Sequence, residues 1–403
     1  MSMVAKRMEQ VRSDIRGPLY LEALRMEAAG EKVLKLNTGN PGIFGFGMPD
    51  SFREALAQDA GKAIPYCDLR GMQPAREALL QYHQNKGLQG IGMEDIFIGN
   101  GVSELAQMLL TAVLNPGDEI LLPAPCYALW SNGAIMMGGV PVYYRCDEQS
   151  LWYPDPDDVR ASITPRTKAM VIINPNNPTG ALYPQGLVSK LLDIAREHRL
   201  MVFSDEIYDR LVLDGQQHTS CGTLAPDLCV VTLNGLSKSH NICGFRCGWM
   251  VLSGPPALTR PLNTALATLA SIRLCGNALT QLVIPAALED PLFTQDMLAP
   301  GGRLYEQREV TTQVLGQVPG VSFVKNSAAF YLFPKLDTEL FGITDDRQFC
   351  LDLLHHTKVL MIPGSGFEWP EPDHVRIVML PQKDILRAAM ERIAEYLRER
   401  AKG

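Results

Sequence analysis

Short apolar runs bounded by turn residues alternate with stretches of helical periodicity between about residues 95 and 255. One such stretch places Leu187, Leu191 and Ile194 on a single helix face, with Val188 and Ala195 beside them. Strands that alternate with amphipathic helices predict an α/β fold, in which a mostly parallel sheet carries helices on its faces. The runs with the length and composition of strands are 119–122, 169–173, 201–204, 229–233 and 248–252.

The last hundred residues follow a different pattern. A helix is predicted in GGRLYEQREVTTQVLG, short strands at 330–333 and 375–379, and a final helix with Leu386, Met390, Ile393 and Leu397 on one face. This pattern predicts a second, smaller α+β domain. The predicted division is 1–48 as an N-terminal arm and part of the small domain, 49–295 as the large domain, and 296–403 as the small C-terminal domain.

The composition of the 403 residues is that of a folded, water-soluble protein. Hydrophobic residues make up 46% and charged residues 20%, which excludes a disordered or fibrous chain. Lys and Arg number 37 against 44 Asp and Glu, a net charge of −7, so nucleic acid is not an expected partner. No group of His or Cys residues has the spacing of a metal site, and we expect no metal.

The nine cysteines are scattered without a CxxC pair, so we expect free thiols, with Cys243 and Cys247 buried. The N-terminal MSMVAKRMEQVRSD has no apolar signal core, and no uninterrupted apolar stretch is long enough to span a membrane. We therefore expect a protein of the reducing cytoplasm, without membrane association.

Lys238 is the strongest candidate for chemistry. It lies in NGLSKSHNICGFRCGW, directly after a predicted strand, so its amine is expected at the carboxyl end of a parallel strand, where open α/β sheets bind ligands. Its apolar surroundings predict a lowered pKa and a reactive amine. The alternative is an ordinary loop lysine that points to solvent.

A candidate phosphate site surrounds this lysine. The hydroxyls of Ser237 and Ser103, the guanidinium of Arg246 and the start of the helix in GNGVSEL are groups that suit a dianionic phosphate. Taken alone, GNGVSEL is equally typical of a capped helix start.

Two further strand ends carry polar residues. Asp205 ends the strand in FSDEIYD, with Tyr208 three residues later, and Asn177 lies in NPNNPTG after another strand. A buried carboxylate needs a cationic partner, and a protonated pyridine nitrogen is one such group. The alternatives are a helix N-cap for Asp205 and a simple turn for NPNNPTG.

In this order and spacing, NPNNPTG, SDEIY and SKSHNICGFRCGW resemble the signature set of the class I/II aminotransferases, pyridoxal-phosphate-dependent enzymes of fold type I. The similarity extends over essentially the whole chain. The bacterial alanine aminotransferase branch is the most similar, through LNTGNPGIFGF, GNGVSEL, PAPCYALW, GGRLYEQRE, RLCGN and DHVRIVMLP. The resemblance implies an aspartate aminotransferase-like fold, pyridoxal 5'-phosphate as cofactor, and 49–295 as the domain that binds it.

The resemblance also implies roles for residues around the cofactor ring. Lys238 binds the cofactor covalently and then moves the proton between the substrate Cα and the cofactor C4′. Asp205 keeps the pyridine nitrogen protonated, Tyr208 and Asn177 donate hydrogen bonds to the ring oxygen, and Tyr127 stacks on the ring.

At the phosphate, the implied partners are Gly101, Val102, Ser103, Ser237 and Arg246, together with Tyr66. In this family the matching tyrosine reaches across a subunit interface, so the resemblance implies a homodimer with shared active sites. An ordinary core or interface aromatic is the alternative for Tyr66.

The implied substrate site contains Arg376, Gly39 and Asn177. Arg376 alternates with apolar Val375 and Ile377, which is typical of a half-buried strand residue, and a buried guanidinium needs a carboxylate. The resemblance assigns it to the substrate α-carboxylate and assigns the backbone of Gly39 to the same pocket. A structural salt bridge is the alternative for Arg376.

Several positions differ from the pattern of the alanine branch: Cys126, His240, Asn241, Cys247 and Ala328. His240 and Asn241 replace a Tyr-Arg pair that lies beside the phosphate site in relatives, so substrate preference and cofactor affinity are the properties these changes affect.

The activity we predict is amino-group exchange between L-alanine and 2-oxoglutarate by a ping-pong route. The alternatives are an aminotransferase for valine, aromatic or dicarboxylic amino acids, or a pyridoxal-phosphate-dependent C–S β-lyase. A non-enzymatic regulator is a further alternative, but it requires an additional basic DNA-binding segment that the chain lacks.

Overall fold

The structure is a computed structural model that describes residues 3–290 and 293–402. The strands are β1 (Leu34–Lys35), β2 (Ile96–Asn100), β3 (Glu119–Ala124), β4 (Val140–Asp147), β5 (Tyr153–Pro154), β6 (Thr167–Ile173), β7 (Met201–Asp205), β8 (Val230–Gly235), β9 (Cys247–Ser253), β10 (Val321–Ser322), β11 (Tyr331–Leu332), β12 (Lys335–Leu336), β13 (Val359–Leu360), β14 (Ile362–Pro363) and β15 (Val375–Val378).

The helices are α1 (Pro18–Ala28), α2 (Asp50–Asp59), α3 (Gln73–Asn85), α4 (Val102–Val113), α5 (Leu129–Met136), α6 (Pro156–Ala161), α7 (Gln185–His198), α8 (Cys221–Leu224), α9 (Leu236–Ser239), α10 (Pro256–Ile272), α11 (Ala278–Gln281), α12 (Ile284–Glu289), α13 (Gln295–Leu298), α14 (Arg303–Leu315), α15 (Asp346–Thr357) and α16 (Lys383–Arg400). Within residues 3–290 and 293–402, no helix combines the length and the apolar content that crossing a membrane requires.

The main sheet has eight strands in the order β2-β9-β8-β7-β6-β3-β4-β5. The pairs β8/β7, β7/β6, β6/β3 and β3/β4 are parallel, whereas β9 is antiparallel to both of its neighbours. The prediction of an α/β fold with a mostly parallel sheet is therefore confirmed. The antiparallel direction of β9 was not predicted, because apolar content does not report strand direction.

All five strands that the sequence predicts in this region are present, as β3, β6, β7, β8 and β9. Two neighbours, β2 and β4, were not among the predicted strands. β2 ends in the glycine-flanked segment that signals the start of α4, and β4 mixes exposed, half-buried and buried residues without clear alternation. These two segments form strands mainly because they pair with neighbouring strands of the sheet, and their own residue pattern contributes less.

The carboxyl-terminal part of the chain contains the predicted smaller α+β arrangement. The three-stranded sheet β11-β15-β14 packs with α14, α15 and α16 around one hydrophobic cluster. The predicted face of the last helix is buried: Leu386, Met390, Ile393 and Leu397. Residues of α1 and Leu36 belong to the same cluster, which agrees with the assignment of the N-terminal segment to this part. The domain boundaries themselves stay a prediction.

The parallel strands end at one edge of the main sheet. β2, β3, β6, β7 and β8 lead directly into the segments that carry the predicted site residues. Parallel strands bring their carboxyl ends to the same edge, so residues far apart in sequence meet there.

Arg308 of α14 makes a buried contact that provides a test of this packing. Its guanidinium, 1% exposed, donates two 2.6 Å bonds to the carboxylate of Asp214 and one 3.0 Å bond to the carbonyl of Asn326. We expect Arg308→Leu to lower the free energy of unfolding by about 2–3 kcal/mol, because a buried carbonyl and a carboxylate lose their donor.

Urea denaturation measures this loss. The control is Arg160→Leu: this arginine is 43% exposed and pairs with Glu197 at the surface, so its loss should destabilise the protein much less than the loss of Arg308. Equal effects of the two substitutions would contradict the importance of the Arg308 contact.

Candidate active site

A cavity of about 740 Å³ lies at the carboxyl edge of the main sheet. Its wall combines the segments after the parallel strands with the N-terminal segment and with β15 from the smaller part. Of the predicted site residues, those that line it are Gly39, Val102, Ser103, Tyr127, Asn177, Asp205, Tyr208, Ser237, Lys238, Arg246 and Arg376.

Lys238 lies in the short helix α9, directly after β8, and is half-buried at the cavity wall. Its Nζ donates a 2.7 Å hydrogen bond to the carbonyl of Gly39 and lies 3.7 Å from the Sγ of Cys243. The predicted lowering of its pKa is wrong: burial is the largest single effect and lowers the pKa, but the contributions of Tyr331, Cys243 and Tyr127 together outweigh it and raise the pKa.

Asp205 ends β7 and is buried at the base of the cavity. Its carboxylate accepts a 3.2 Å bond from the indole nitrogen of Trp130 and a 3.4 Å bond from the backbone of Ile207. Burial raises its pKa to about 6, against hydrogen bonds that lower it. No cationic nitrogen of the described residues lies within 4.0 Å of this carboxylate, so the site can accept a cation there.

Tyr208 and Asn177 reach the cavity from neighbouring strand ends. The phenol oxygens of Tyr208 and Tyr331 lie 2.8 Å apart, and burial raises the pKa of Tyr208 well above its usual value. Asn177 lies in the predicted turn after β6, and its Oδ1 accepts a 3.0 Å bond from Arg376. Asn177 thus joins the predicted ring-binding and substrate-binding residues.

Arg376 is fully buried in β15, whose four residues are all buried, so the prediction of a half-buried strand is wrong. Its guanidinium lies 4.6 Å from the ring centre of Tyr331 and 4.4 Å from that of Phe367, and it donates to the carbonyl of Asn37. Its Nε has no hydrogen-bond partner among the described residues, and burial lowers the pKa of the guanidinium.

The salt-bridge alternative for Arg376 fails within the part of the chain that the structure describes, because no carboxylate there lies within 4.0 Å of it. A buried guanidinium with an unsatisfied N–H and two aromatic neighbours is suited to a planar carboxylate. This geometry supports an anion that enters the cavity from solvent.

Neighbouring side chains approach the backbone of Gly39 and Gly101 so closely that there is no room for a Cβ atom. A Cβ on Gly39 would lie 2.3 Å from the hydroxyl of Tyr331, and one on Gly101 would lie 2.5 Å from Nη2 of Arg246. Gly101 also has a φ of 81°, which other residues rarely adopt.

Four of the predicted phosphate partners line the cavity. Val102 and Ser103 form the first turn of α4, which has no side-chain cap, and Ser237 and Arg246 line the cavity beside it. An uncapped helix start leaves backbone N–H groups for an anion, and a guanidinium adds charge. These residues fit a phosphate group.

Two predicted residues do not line the cavity. Gly101 directly precedes α4 and lies next to Arg246. Tyr66 is the other. It is 77% exposed and does not line the cavity.

The residues that depart from the family pattern lie behind the cavity wall. His240 is buried, with its ring nitrogens 2.9 Å from the hydroxyl of Ser239 and 3.1 Å from the carbonyl of Ala287, and burial lowers its pKa to about 4. Asn241 donates to the carbonyl of Gly47 at 3.3 Å. The remaining three, Cys126, Cys247 and Ala328, are buried and likewise do not line the cavity.

Sequence reasoning missed or misplaced several site residues. Trp130, which binds Asp205, lies in PAPCYALW but had no predicted role, and Tyr331 was predicted only as part of a strand. Cys243, predicted as a buried thiol, is half-buried and lines the cavity 3.7 Å from Lys238. The N-terminal residues 11–16 also line the cavity, and no motif in the sequence signals them.

The model of the family described as "Aminotransferase class I and II" matches residues 31–393 of the chain. The chain is 47% identical over 393 residues to the glutamate-pyruvate aminotransferase AlaA of Escherichia coli strain K12, a match that covers 98% of this chain and 97% of the relative.

Two solved structures are similar over nearly the whole chain. A crystal structure of an aminotransferase from Escherichia coli superposes with a TM-score of 0.97 at 47% identity and covers 99% of this chain and 98% of its own. An alanine aminotransferase from Pyrococcus furiosus superposes with a TM-score of 0.93 at 37% identity and covers 98% of this chain and 100% of its own.

The raised pKa of Asp205 makes stability depend on pH in a defined direction. Folding raises the pKa of Asp205 from 3.8 to about 6, so the folded state binds the proton of this carboxyl group more tightly than the unfolded state does. The stability that this proton contributes is fully present below about pH 4 and is lost as the pH rises through about 6. In protein stripped of bound small molecules, we expect Asp205→Asn to raise the free energy of unfolding by about 3 kcal/mol at pH 8 and by little at pH 4.

Urea denaturation at the two pH values tests this expectation. Asp227→Asn is the control, because the hydrogen bond from Arg196 lowers the pKa of Asp227, and its loss should not stabilise the protein at pH 8. If Asp205→Asn changes the free energy of unfolding equally at both pH values, burial does not raise the pKa of Asp205 and the expectation is wrong.

Proposed function

The chain belongs to the class I and II aminotransferase family, and on that basis we propose that it exchanges an amino group between L-alanine and 2-oxoglutarate, forming pyruvate and L-glutamate. The names of its relatives, a glutamate-pyruvate aminotransferase and an alanine aminotransferase, support this choice of substrates. The observation that carries the proposal is one cavity lined by a lysine, a buried carboxylate and a buried guanidinium. Among the described residues, this carboxylate has no cationic partner and this guanidinium has no anionic partner.

We propose pyridoxal 5'-phosphate as the cofactor. The uncapped start of α4 with Ser103, Ser237 and Arg246 fits its phosphate, and the carboxylate of Asp205 fits its pyridine nitrogen. When bound, this cofactor supplies an electron sink for the electron pair left when the substrate Cα–H bond breaks.

The residues around the cofactor ring would have different roles. Lys238 would hold the cofactor covalently through its amine and, once released by the substrate, would move the proton from the substrate Cα with Nζ. Trp130 holds the Asp205 carboxylate in place with a 3.2 Å bond, so this carboxylate would bind a protonated ring nitrogen of the cofactor with little reorganisation. The phenol of Tyr208 and the amide of Asn177 would donate to the ring oxygen, and Tyr127 would pack on the ring face.

Arg376 would bind the substrate α-carboxylate. Its hydrogen bonds to Asn177 and to the carbonyl of Asn37 fix one side of the guanidinium and leave the orphaned Nε for the ligand. The carbonyl of Gly39, which contacts Lys238 at 2.7 Å, closes the pocket between the amine and the carboxylate site. Both ends of a small amino acid are thereby oriented.

We further propose a homodimer in the cytoplasm, with the division 1–48, 49–295 and 296–403 as arm, cofactor-binding domain and small domain. The exposed position of Tyr66, outside the cavity of its own chain, supports a role at the phosphate of the partner subunit. The nine unpaired cysteines support a reducing compartment.

A half-reaction tests the proposed activity. Mixed with L-alanine alone, the purified yellow protein should convert stoichiometrically to the pyridoxamine form, and 2-oxoglutarate should restore it, both read by absorbance. Lys238→Ala should lose the conversion. Colour that alanine leaves unchanged would contradict the choice of substrate, whereas protein unable to bind pyridoxal phosphate would contradict the cofactor as well.

Arg376→Gln tests the assignment of the α-carboxylate. Loss of a charge-assisted bidentate contact should lower kcat/KM for L-alanine by about 100-fold, while the absorbance of the bound cofactor stays unchanged. The reaction with ethylamine, which has no carboxylate, should not distinguish the variant from the parent. An equal loss for both amines would indicate a disturbed site rather than a missing carboxylate contact.

A further inference from the structure

The N-terminal residues 11–16, with the sequence VRSDIR, form part of the cavity wall ahead of helix α1. We call these six residues the rim segment. The rim segment contributes two arginines and one aspartate to a cavity whose other charged groups come from strand ends and β15. Nothing in the proposed reaction of alanine uses these charges.

The rim segment is anchored at three points. The side chain of Asn132, on α5, accepts a 3.1 Å bond from the backbone N–H of Arg12 and donates a 2.6 Å bond to its carbonyl. The amide of Asn37 donates to the carbonyl of Ile15 at 2.7 Å. Asp14 pairs with Arg347 at 3.1 Å. These contacts fix the backbone at Arg12 and at Ile15, which directly precedes Arg16.

The charged side chains of the rim segment differ in whether they form an ion pair. Asp14 is used by Arg347, whereas the guanidinium groups of Arg12 and Arg16 are exposed, and within residues 3–290 and 293–402 no carboxylate lies within 4.0 Å of either. The rim segment thus brings two arginines to the lining of the cavity, and neither is paired with a carboxylate of the described residues. An anion that enters the cavity beside them would meet little competition from the protein itself.

We propose that Arg12 and Arg16 form the subsite for the second carboxylate of a dicarboxylic substrate, the class to which 2-oxoglutarate and glutamate belong. This inference rests on the proposed function and deepens it. Both substrates of the exchange must bind their α-carboxylate at the same place, and they differ in that only one carries a second carboxylate. A guanidinium pair at the rim recognises that group and leaves alanine and pyruvate unaffected.

The test uses the holoenzyme and two unreactive acids of equal length, glutarate with two carboxylates and pentanoate with one. Dissociation constants for both acids are measured for the parent and for R12Q, R16Q and the double variant. The matched control is R7Q, since Arg7 is an exposed arginine of the same N-terminal arm that does not line the cavity.

We expect the parent to bind glutarate more tightly than pentanoate, and the double variant to bind glutarate on the order of tenfold more weakly with pentanoate changed less than about twofold. The parent's preference should also weaken as salt rises from about 20 to about 500 mM, because exposed charges are screened. The variant should lose kcat/KM for 2-oxoglutarate by a similar factor while the alanine half-reaction keeps its rate, and R7Q should match the parent.

Unchanged glutarate binding in the double variant would overturn the subsite, as would a parent without preference for the dicarboxylate. Equal losses for both acids would show a structural disturbance of the cavity and would also overturn it. If the parent fails to convert alanine, the proposed function falls, but the comparison of glutarate with pentanoate still decides the subsite.

Discussion

The burial of Arg376 is the constraint on which the site depends. A guanidinium taken out of water costs several kcal/mol unless its donors are satisfied, and here the chain satisfies them only in part. Aromatic rings of Tyr331 and Phe367 lie over its faces, and Asn177 and the carbonyl of Asn37 accept hydrogen bonds from two of its nitrogens. No atom of the part of the chain that the structure describes accepts a bond from its Nε. The fold thus maintains a cation that only an external carboxylate completes.

Asp205 presents the converse problem in the same cavity. It is a buried anion whose pKa burial raises to about 6, and Trp130 gives it one hydrogen bond but no counter-charge. The two buried charges do not pair with each other. Two buried charges that do not pair with each other lower the stability of the fold. Buried charges of this kind are typical of sites that bind and transform charged ligands.

The position of these groups follows from the topology. The strands β6, β7 and β8 are parallel neighbours, so Asn177, Asp205 and Lys238 meet at their carboxyl ends. Arg376 comes from a separate small sheet, and the carbonyl of Gly39 connects the two parts through its bond to Lys238. Charged residues of the N-terminal segment then complete the rim.

The amino-acid sequence alone was sufficient to predict the fold class and five of the eight strands of the main sheet, because apolar periodicity and turn signals are local properties. The roles of the ring and phosphate residues come from the resemblance of short motifs to a known family, and they stay predictions. The surroundings of these residues depend instead on how the chain packs. The upward shift of the Lys238 pKa depends on Tyr331, and the orientation of Asp205 depends on Trp130. These residues are distant along the chain, and contacts across such distances arise from tertiary packing, which no local pattern records.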